Sequence, residues 1–554
     1  MNRKWTRRLA FCLIITAFLC MLPAPAALEA NPTLRIGLLY GSGALPGANL
    51  QNQTGSGYQF GYTKNSQFVP LMTTTETKVS TLKNKNVYSS NGTHTDASVS
   101  GAFLTGAYHM DTGVTYATIA EAQSAAQQLK SGGFAAFPVY NKGSFTVRTG
   151  SYASSAAASS AIAASGFSGT AATGSNQCLT VINTDTGEIL FQFDGNDGEY
   201  FTITPLSANG KAITWCKGFR YYGSFMYRRM SGDNVTVINL VSMDDYVKGV
   251  IPYEMSPSWP LEALKAQAVC AKSYAVNNLN KHASAGFDLC TTTDCQVYMG
   301  TANATEHSDK AVNEVSGYYL LHNNQPANTF YHSSNGGSTE DSINVWSADL
   351  PYLKAVPDNF EDLTSATNGI WQFTYTNADF TAILKEKGYS TGAIVDAYID
   401  QFTPAGNVYR LIFVDANGQK YNFEKEKART ILNSSTLNRY TYSQRYSLSS
   451  GTTLAIKGDG AAQTKSASNG LYVLSGSGTQ ALTAGFDSLR VRSASGVSAL
   501  PSNNNTGTYT VSGRGWGHNV GLSQWGARGM ATQGYTFIQI LQYYFTDTTV
   551  SKIS

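Results

Sequence analysis

Leu261, Leu264, Ala268, Ala271, Ala275 and Leu279 recur at spacings of three and four, the period of a helix with one core-facing stripe. Ser258 and Pro260 mark its start. Lys265 and Lys272, seven residues apart, are expected to share its polar face. Upstream, Val235 to Val241 is a β-branched run that predicts a strand, and Asp244-Asp245-Tyr246 opens the next element. Residues 33 to 80 read as short strands, with Leu34 to Leu39 the clearest. From about 104 to 200 the order is a strand, an alanine-rich helix over Ile119–Leu129, strands over Ala135–Tyr140 and Phe145–Gly150, a second alanine-rich helix from Ser154, and a final strand pair over Leu179–Phe193. This β-α-β-β-α-β order predicts a small ferredoxin-like module. Gly-rich and strand-like segments fill the rest, up to a last helix around Phe537–Tyr543. The expected fold class is α+β and β-rich.

The N-terminus adds a targeting signal. Arg3, Lys4, Arg7 and Arg8 precede an apolar run from Leu9 to Leu22, then small residues at Ala24-Pro25-Ala26 and Leu28-Glu29-Ala30. That order reads as a secretory signal peptide over 1–30, an uncleaved anchor being the other reading. Export is therefore expected, followed by a β-rich segment over 31–103, the module over 104–200 and a larger unit over 206–549. Only 14% of the 554 residues are charged, against 52 Gly and 33 Tyr, which suits an extracellular sugar-handling protein. A net charge of +3 gives no footprint for nucleic acid. Five cysteines follow the signal segment, Cys178, Cys216, Cys270, Cys290 and Cys295, so at least one stands outside any disulfide. Cys270, among alanines on the predicted helix, reads as a small buried side chain.

Chemistry concentrates in a few segments. In Gly249-Val250-Ile251-Pro252-Tyr253-Glu254-Met255-Ser256-Pro257 a lone carboxylate, Glu254, stands among apolar and aromatic neighbours in a loop stiffened by prolines. Partial burial raises a carboxyl pKa, as a general acid at neutral pH requires. His282, Cys290 and Cys295 lie close enough in sequence to bind zinc, with Asp294 the nearest fourth ligand. A Cys290–Cys295 disulfide is the competing reading. Two stretches rich in glycine and polar groups remain. One runs from His332 to Glu340 and on through Trp346 to Lys354. The other runs from Gly513 through Trp516, His518 and Trp525 to Ala527. Glycines admit close backbone approach to a ligand, and Trp516 and Trp525 offer flat faces for sugar rings. Neither Ser333 nor Ser523 lies in a nucleophile elbow.

The segment Phe145-Thr146-Val147-Arg148-Thr149-Gly150-Ser151-Tyr152 and the Ser-Ala-rich helix after it resemble the SPOR domain, a family that binds peptidoglycan; the resemblance implies a binding role for Tyr152. Four separated stretches resemble the SpoIID/LytB family in family order: Asp245 to Ala268, Cys290 to Tyr298, Ser333 to Lys354, and Gly513 to Gly526. This resemblance implies a lytic transglycosylase acting on peptidoglycan glycan strands, or a non-catalytic enhancer of a wall amidase. It implies Glu254 as the catalytic glutamate, Thr339, Tyr352 and Lys354 as polar active-site residues, and Lys272 where the family carries arginine. It implies His282, Cys290 and Cys295 as ligands of a structural zinc.

Overall fold

The computed structural model describes residues 28–230, 234–450 and 507–553, together with the backbone of six short strands between 453 and 499. The expected signal peptide over 1–30 lies outside the described residues, apart from its last three positions. Among the described residues no helix is long and apolar enough to cross a membrane.

The chain opens with β1 (Thr33–Leu39), β2 (Gly47–Thr54), β3 (Tyr58–Lys64), β4 (Gln67–Thr74) and β5 (Lys78–Lys83). A small sheet of β6 (Val87–Ser90), β7 (Thr93–Thr95) and β8 (Phe103–Thr105) follows. The module then reads β9 (Tyr108–Asp111), α1 (Ile119–Ser131), β10 (Ala136–Asn141), β11 (Ser144–Tyr152), α2 (Ser155–Ser165) and β12 (Thr170–Thr173). Its strands lie in the order β12-β9-β11-β10, the ferredoxin-like arrangement. Local chemistry fixes its helices. Thr118 and Glu121 form a reciprocal capping box on α1, Ser154 caps α2, and α2 stops at Gly166 in the left-handed conformation (φ +67).

The expected fourth strand of the module is corrected. It is Thr170–Thr173; the Leu179–Phe193 pair forms β13 (Leu179–Asn183) and β14 (Ile189–Asp194), which extend the sheet beyond the module. β14 runs parallel to β10, and β13 pairs with β5, so module and N-terminal strands share one ten-stranded sheet.

The remaining strands before the helices are β15 (Tyr200–Pro205), β16 (Ile213–Cys216), β17 (Phe219–Tyr221), β18 (Ser224–Arg229) and β19 (Val235–Ser242); β20 (Leu289–Cys290) comes later. A seven-stranded sheet runs β20-β1-β19-β18-β15-β3-β4, with β1 antiparallel to β19 and parallel to β20. Residues 31–103 are therefore not a separate unit, because they supply strands to the sheet that carries the region after 206.

Out of β19 the chain enters α3 (Met243–Glu254), capped by the Ser242 hydroxyl accepting from the Asp245 N–H, and then α4 (Leu261–Asn277). The helix face Leu264, Ala268, Ala271 and Ala275 is fully buried, as is Cys270, whereas Leu279 falls beyond the helix end and is exposed. Residues 371 to 448 and 509 to 511 contribute to a second hydrophobic core of their own, built on two three-stranded sheets.

Candidate active site

Glu254 is the last residue of α3, not part of a loop. Pro252 lies inside the final turn, and Met255 leaves it in extended conformation. The carboxylate is half-buried and held by three distant segments. The Val297 N–H donates to Oε1 at 3.1 Å, Gln524 Nε2 stands 3.5 Å from Oε2, and the Tyr331 hydroxyl lies beside the carboxylate. Burial raises the carboxyl above the ordinary glutamate range, against the pull of those three donors. None of the groups that shift it is a second carboxylate. Behind it, the Tyr331 hydroxyl donates to Gln296 Oε1 at 3.0 Å. Gln296 Nε2 donates to the Tyr246 hydroxyl and to the Ala271 carbonyl, both at 3.2 Å. Tyr331 is held well above the usual phenol range by burial and by the nearby Glu254 charge, so it stays a donor.

Gln524 reaches Glu254 because Tyr331–His332 pairs in parallel with Leu522–Ser523, which leads into α5 (Gln524–Thr532). Ser523 is that helix's N-cap, accepting from the Gly526 N–H at 3.0 Å, and it donates to Glu361 at 2.5 Å; it is no nucleophile. Burial lowers His332 to about 4 and also lowers His518, so both stay neutral at physiological pH. Beside Gln524, Trp525 meets Trp259 edge to face at 5.1 Å, and the Arg528 guanidinium lies 4.7 Å from the Trp525 ring centre and 5.5 Å from that of Trp259. Trp516 is 40% exposed and packs on Tyr442 at 5.9 Å, at the edge of the second core.

The other expected site residues lie outside this hydrogen-bonded group. Lys272 is a correction. It is fully buried, its ammonium 2.7 Å from Asp244 Oδ1 and donating to the Val315 carbonyl at 2.8 Å. Asp244 opens α3 and Glu254 ends it, so a rise of 1.5 Å per residue separates them by roughly 15 Å. Thr339 is also fully buried; its hydroxyl accepts from the Val356 N–H and donates to the Lys354 carbonyl, fixing the 351–356 segment from inside. The Tyr352 hydroxyl accepts from the Asn328 N–H at 3.0 Å. Lys354 is the accessible member, paired with Asp349 at 2.5 Å. In the module, Tyr152 is half-buried, its ring lying over Gly150, whose φ of +71 only glycine tolerates well. Sequence reasoning missed Gln296, although it lies inside the Cys290–Tyr298 stretch, and Tyr331 and Arg528, which stand just outside the two glycine-rich stretches. It also missed a buried carboxylate pair. Asp358 accepts from Tyr544 and Asn335, and Glu361 accepts from the Asn335 and Gly336 N–H groups and Ser523.

The cysteine cluster assembles as well. Donor atoms of His282, Cys290, Asp294 and Cys295 all lie within 4.8 Å of one another, a set able to hold a metal ion. Cys295 Sγ is 3.3 Å from His282 Nε2, and both cysteines are free thiols. A hydrogen bond from Cys295 lowers the Cys290 thiol to about 4 while Cys295 is pushed up, so the pair holds one readily ionised sulfur. β20 ties this cluster to β1 in the seven-stranded sheet.

Comparison with known proteins follows the same division. The family described as Stage II sporulation protein (SpoIID) matches residues 231–322, and the SPOR domain matches residues 105–169. The chain is 29% identical over 337 residues to a Bacillus subtilis protein named Amidase enhancer, covering 55% of this chain and 40% of that one. It is 26% identical over 327 residues to Stage II sporulation protein D of Bacillus subtilis, covering 56% of this chain and 75% of that one. An uncharacterised protein of Brachyspira hyodysenteriae is 39% identical over 140 residues, 25% of this chain and 38% of that one. The matched regions thus span about two fifths of the Amidase enhancer and of the Brachyspira protein. With the ferredoxin-like strand order at 108–173 and Glu254 itself within the matched 231–322 region, the chain carries a SPOR domain followed by a SpoIID domain.

Proposed function

We propose that the protein is an exported lytic transglycosylase that cleaves the MurNAc–GlcNAc β-1,4 bond of peptidoglycan, with Glu254 as its acid and base. The observation that supports this reading is a single carboxyl group, raised by burial and held by Val297 and Gln524, with no acidic partner among the groups that shift it. Two-carboxylate glycosidases need a second acid to activate water or to attack the sugar. One carboxyl suffices when the substrate supplies its own nucleophile. Protonated Glu254 gives its proton to the leaving glycosidic oxygen. The resulting carboxylate takes the proton from the MurNAc C6 hydroxyl, which attacks the anomeric carbon and closes a 1,6-anhydro ring. Trp525 offers a face for a sugar ring, and Lys354, paired with Asp349, is the accessible cation among the expected site residues. The SPOR domain, through Tyr152 and its sheet, holds the chain on the same polymer and raises the local concentration of strand.

His282, Cys290 and Cys295, with Asp294 as the fourth donor, fit a structural zinc site. When bound, zinc would supply a crosslink between the segment after α4 and the sheet that carries α3.

Glu254→Gln keeps the shape but cannot cycle a proton. Formation of 1,6-anhydro ends from stem-free glycan strands, followed by mass spectrometry, should fall by at least about a hundredfold, with the melting temperature unchanged. Near-normal cleavage by this variant overturns the mechanism. The relative named Amidase enhancer motivates a second reading, in which the chain stimulates a wall amidase without cutting glycan. Under that reading Glu254→Gln still stimulates the amidase fully while neither protein forms anhydro ends.

A further inference from the structure

Gln296 fixes where the Tyr331 proton sits. The Gln296 side chain is buried, and its Nε2 lies 3.2 Å from both the Ala271 carbonyl and the Tyr246 hydroxyl. A carbonyl only accepts, so that end of the amide is the NH2. The other end, 3.0 Å from the Tyr331 hydroxyl, is then the oxygen. An amide oxygen has no proton to give, so Tyr331 gives its one proton to Gln296. The same hydroxyl lies beside the Glu254 carboxyl, close enough for each group to shift the other. One proton thus faces two acceptors, a neutral amide oxygen and a carboxyl whose charge comes and goes. Tyr331 is held between them by its parallel pairing with Leu522. The other groups around Glu254 carry no charge. They are the Val297 N–H, the Gln524 amide and the Tyr246 phenol, which burial holds well above the usual phenol range.

We propose that Tyr331 is a positioning residue whose hydroxyl turns between Gln296 and Glu254 as Glu254 loses and regains its proton. The catalytic consequence rests on the glycan reading of the same site. While Glu254 is protonated, the Tyr331 O–H points at Gln296 and its oxygen offers Glu254 a lone pair. As the Glu254 proton leaves for the glycosidic oxygen, the O–H rotates about the phenol C–O bond and donates to the new carboxylate. No covalent bond of Tyr331 forms or breaks; one hydrogen bond changes partner. A charge-assisted bond is about twice as strong as a neutral one, so the carboxylate outcompetes the amide only while it is charged. When the C6 hydroxyl returns a proton to Glu254, the O–H turns back. A site with one carboxyl must hold it in both states, and this donor supports the charge as it develops without fixing it beforehand.

Infrared difference titration of Glu254 in the full chain tests this, its carboxyl band being the one absent from Glu254→Gln. Anhydro-end formation from stem-free strands is followed alongside. Tyr331→Phe removes the donor to the carboxylate and should raise the Glu254 midpoint by about one pH unit, a tenfold change in its ionisation constant. Gln296→Met removes the competing acceptor, leaves the Tyr331 proton on Glu254, and should lower the midpoint by a similar amount. The double variant should titrate like Tyr331→Phe, because Gln296 acts only through Tyr331. The basic limb of the cleavage rate, which needs protonated Glu254, should follow each shift. A midpoint that stays or falls in Tyr331→Phe overturns the proposal, as does one that fails to fall in a folded Gln296→Met. Tyr331→Phe decides alone if Gln296→Met does not fold. Opposite shifts in a chain that forms no anhydro ends, or whose rate limb does not follow them, keep the turning hydroxyl and overturn the glycan reading. An unmoved midpoint in a chain that cuts glycan does the reverse.

Discussion

Replacing Lys272 by methionine separates a structural role from a chemical one. The ammonium is fully buried, 2.7 Å from Asp244 Oδ1, and donates to the Val315 carbonyl at 2.8 Å. Burial lowers its pKa, and the Asp244 charge works against that shift. Methionine fills nearly the same space but leaves the Asp244 carboxylate, only 14% exposed, and one buried carbonyl without the cation. Breaking a buried pair from one side costs about 3–5 kcal/mol. Two features soften that here. The Ser316 hydroxyl still donates to Asp244 at 2.6 Å, and the carboxylate sits in the first turn of α3, where the helix dipole favours it by about 0.3–1 kcal/mol. A loss of about 3 kcal/mol is therefore expected, a fall in melting temperature on the order of 5 °C for a domain of this size.

At the other end of α3, roughly 15 Å away, Glu254 should barely register the change. Circular dichroism melts, together with anhydro-end formation per folded molecule well below the melting temperature, check both halves. The double variant Lys272→Met/Asp244→Asn should recover part of the lost stability, because it leaves no uncompensated charge behind. Loss of cleavage with an unchanged melting temperature would show Lys272 acting on substrate and refute the argument.

Burial and the neighbouring Asp358 raise Glu361 from 4.5 to about 7, so the folded chain holds a proton there that the unfolded chain has released. The sign follows: this contribution to stability is full below about 4.5 and is lost as pH rises to about 7, a fall of ~3 kcal/mol. Glu361→Gln should flatten the melting-temperature profile across that window, and an unchanged slope would count against the assignment. Chelation should lower both the melting temperature and cleavage if the His282, Cys290 and Cys295 site holds structural zinc; metal analysis finding no zinc, with an oxidised Cys290–Cys295 pair by mass spectrometry, speaks against it. A fragment beginning at residue 206 loses β1, β3, β4 and β15, four of the seven strands in one sheet, and should be insoluble; a soluble fragment that melts cooperatively would show the sheet is dispensable.

The ferredoxin-like module was largely legible because its signals are local. Alanine-rich helices, the capping pair Thr118 and Glu121, the cap at Ser154 and the glycine stop at Gly166 all lie within a few residues of the element they define. The pairing of β1 with β19 joins segments about two hundred residues apart and leaves no such trace, so 31–103 reads as a separate segment in the sequence.

The amphipathic helix shows the limit of periodicity from another side. Lys265 and Lys272 differ by seven residues and do share an azimuth on α4. Lys265 reaches Glu314 near the surface, while two turns on Lys272 is covered by the segment around Val315. Period fixes which way a side chain points, and only the tertiary structure decides what lies over each turn. Glu254 illustrates the same division at the site. Its apolar surroundings predict a raised pKa, and burial does raise it. The groups that oppose the shift, the Val297 N–H and the Tyr331 and Gln524 side chains, lie 43 to 270 residues away, and no local pattern in the sequence shows that they meet Glu254. A motif can therefore locate the acid while leaving its strength to be found in the folded chain.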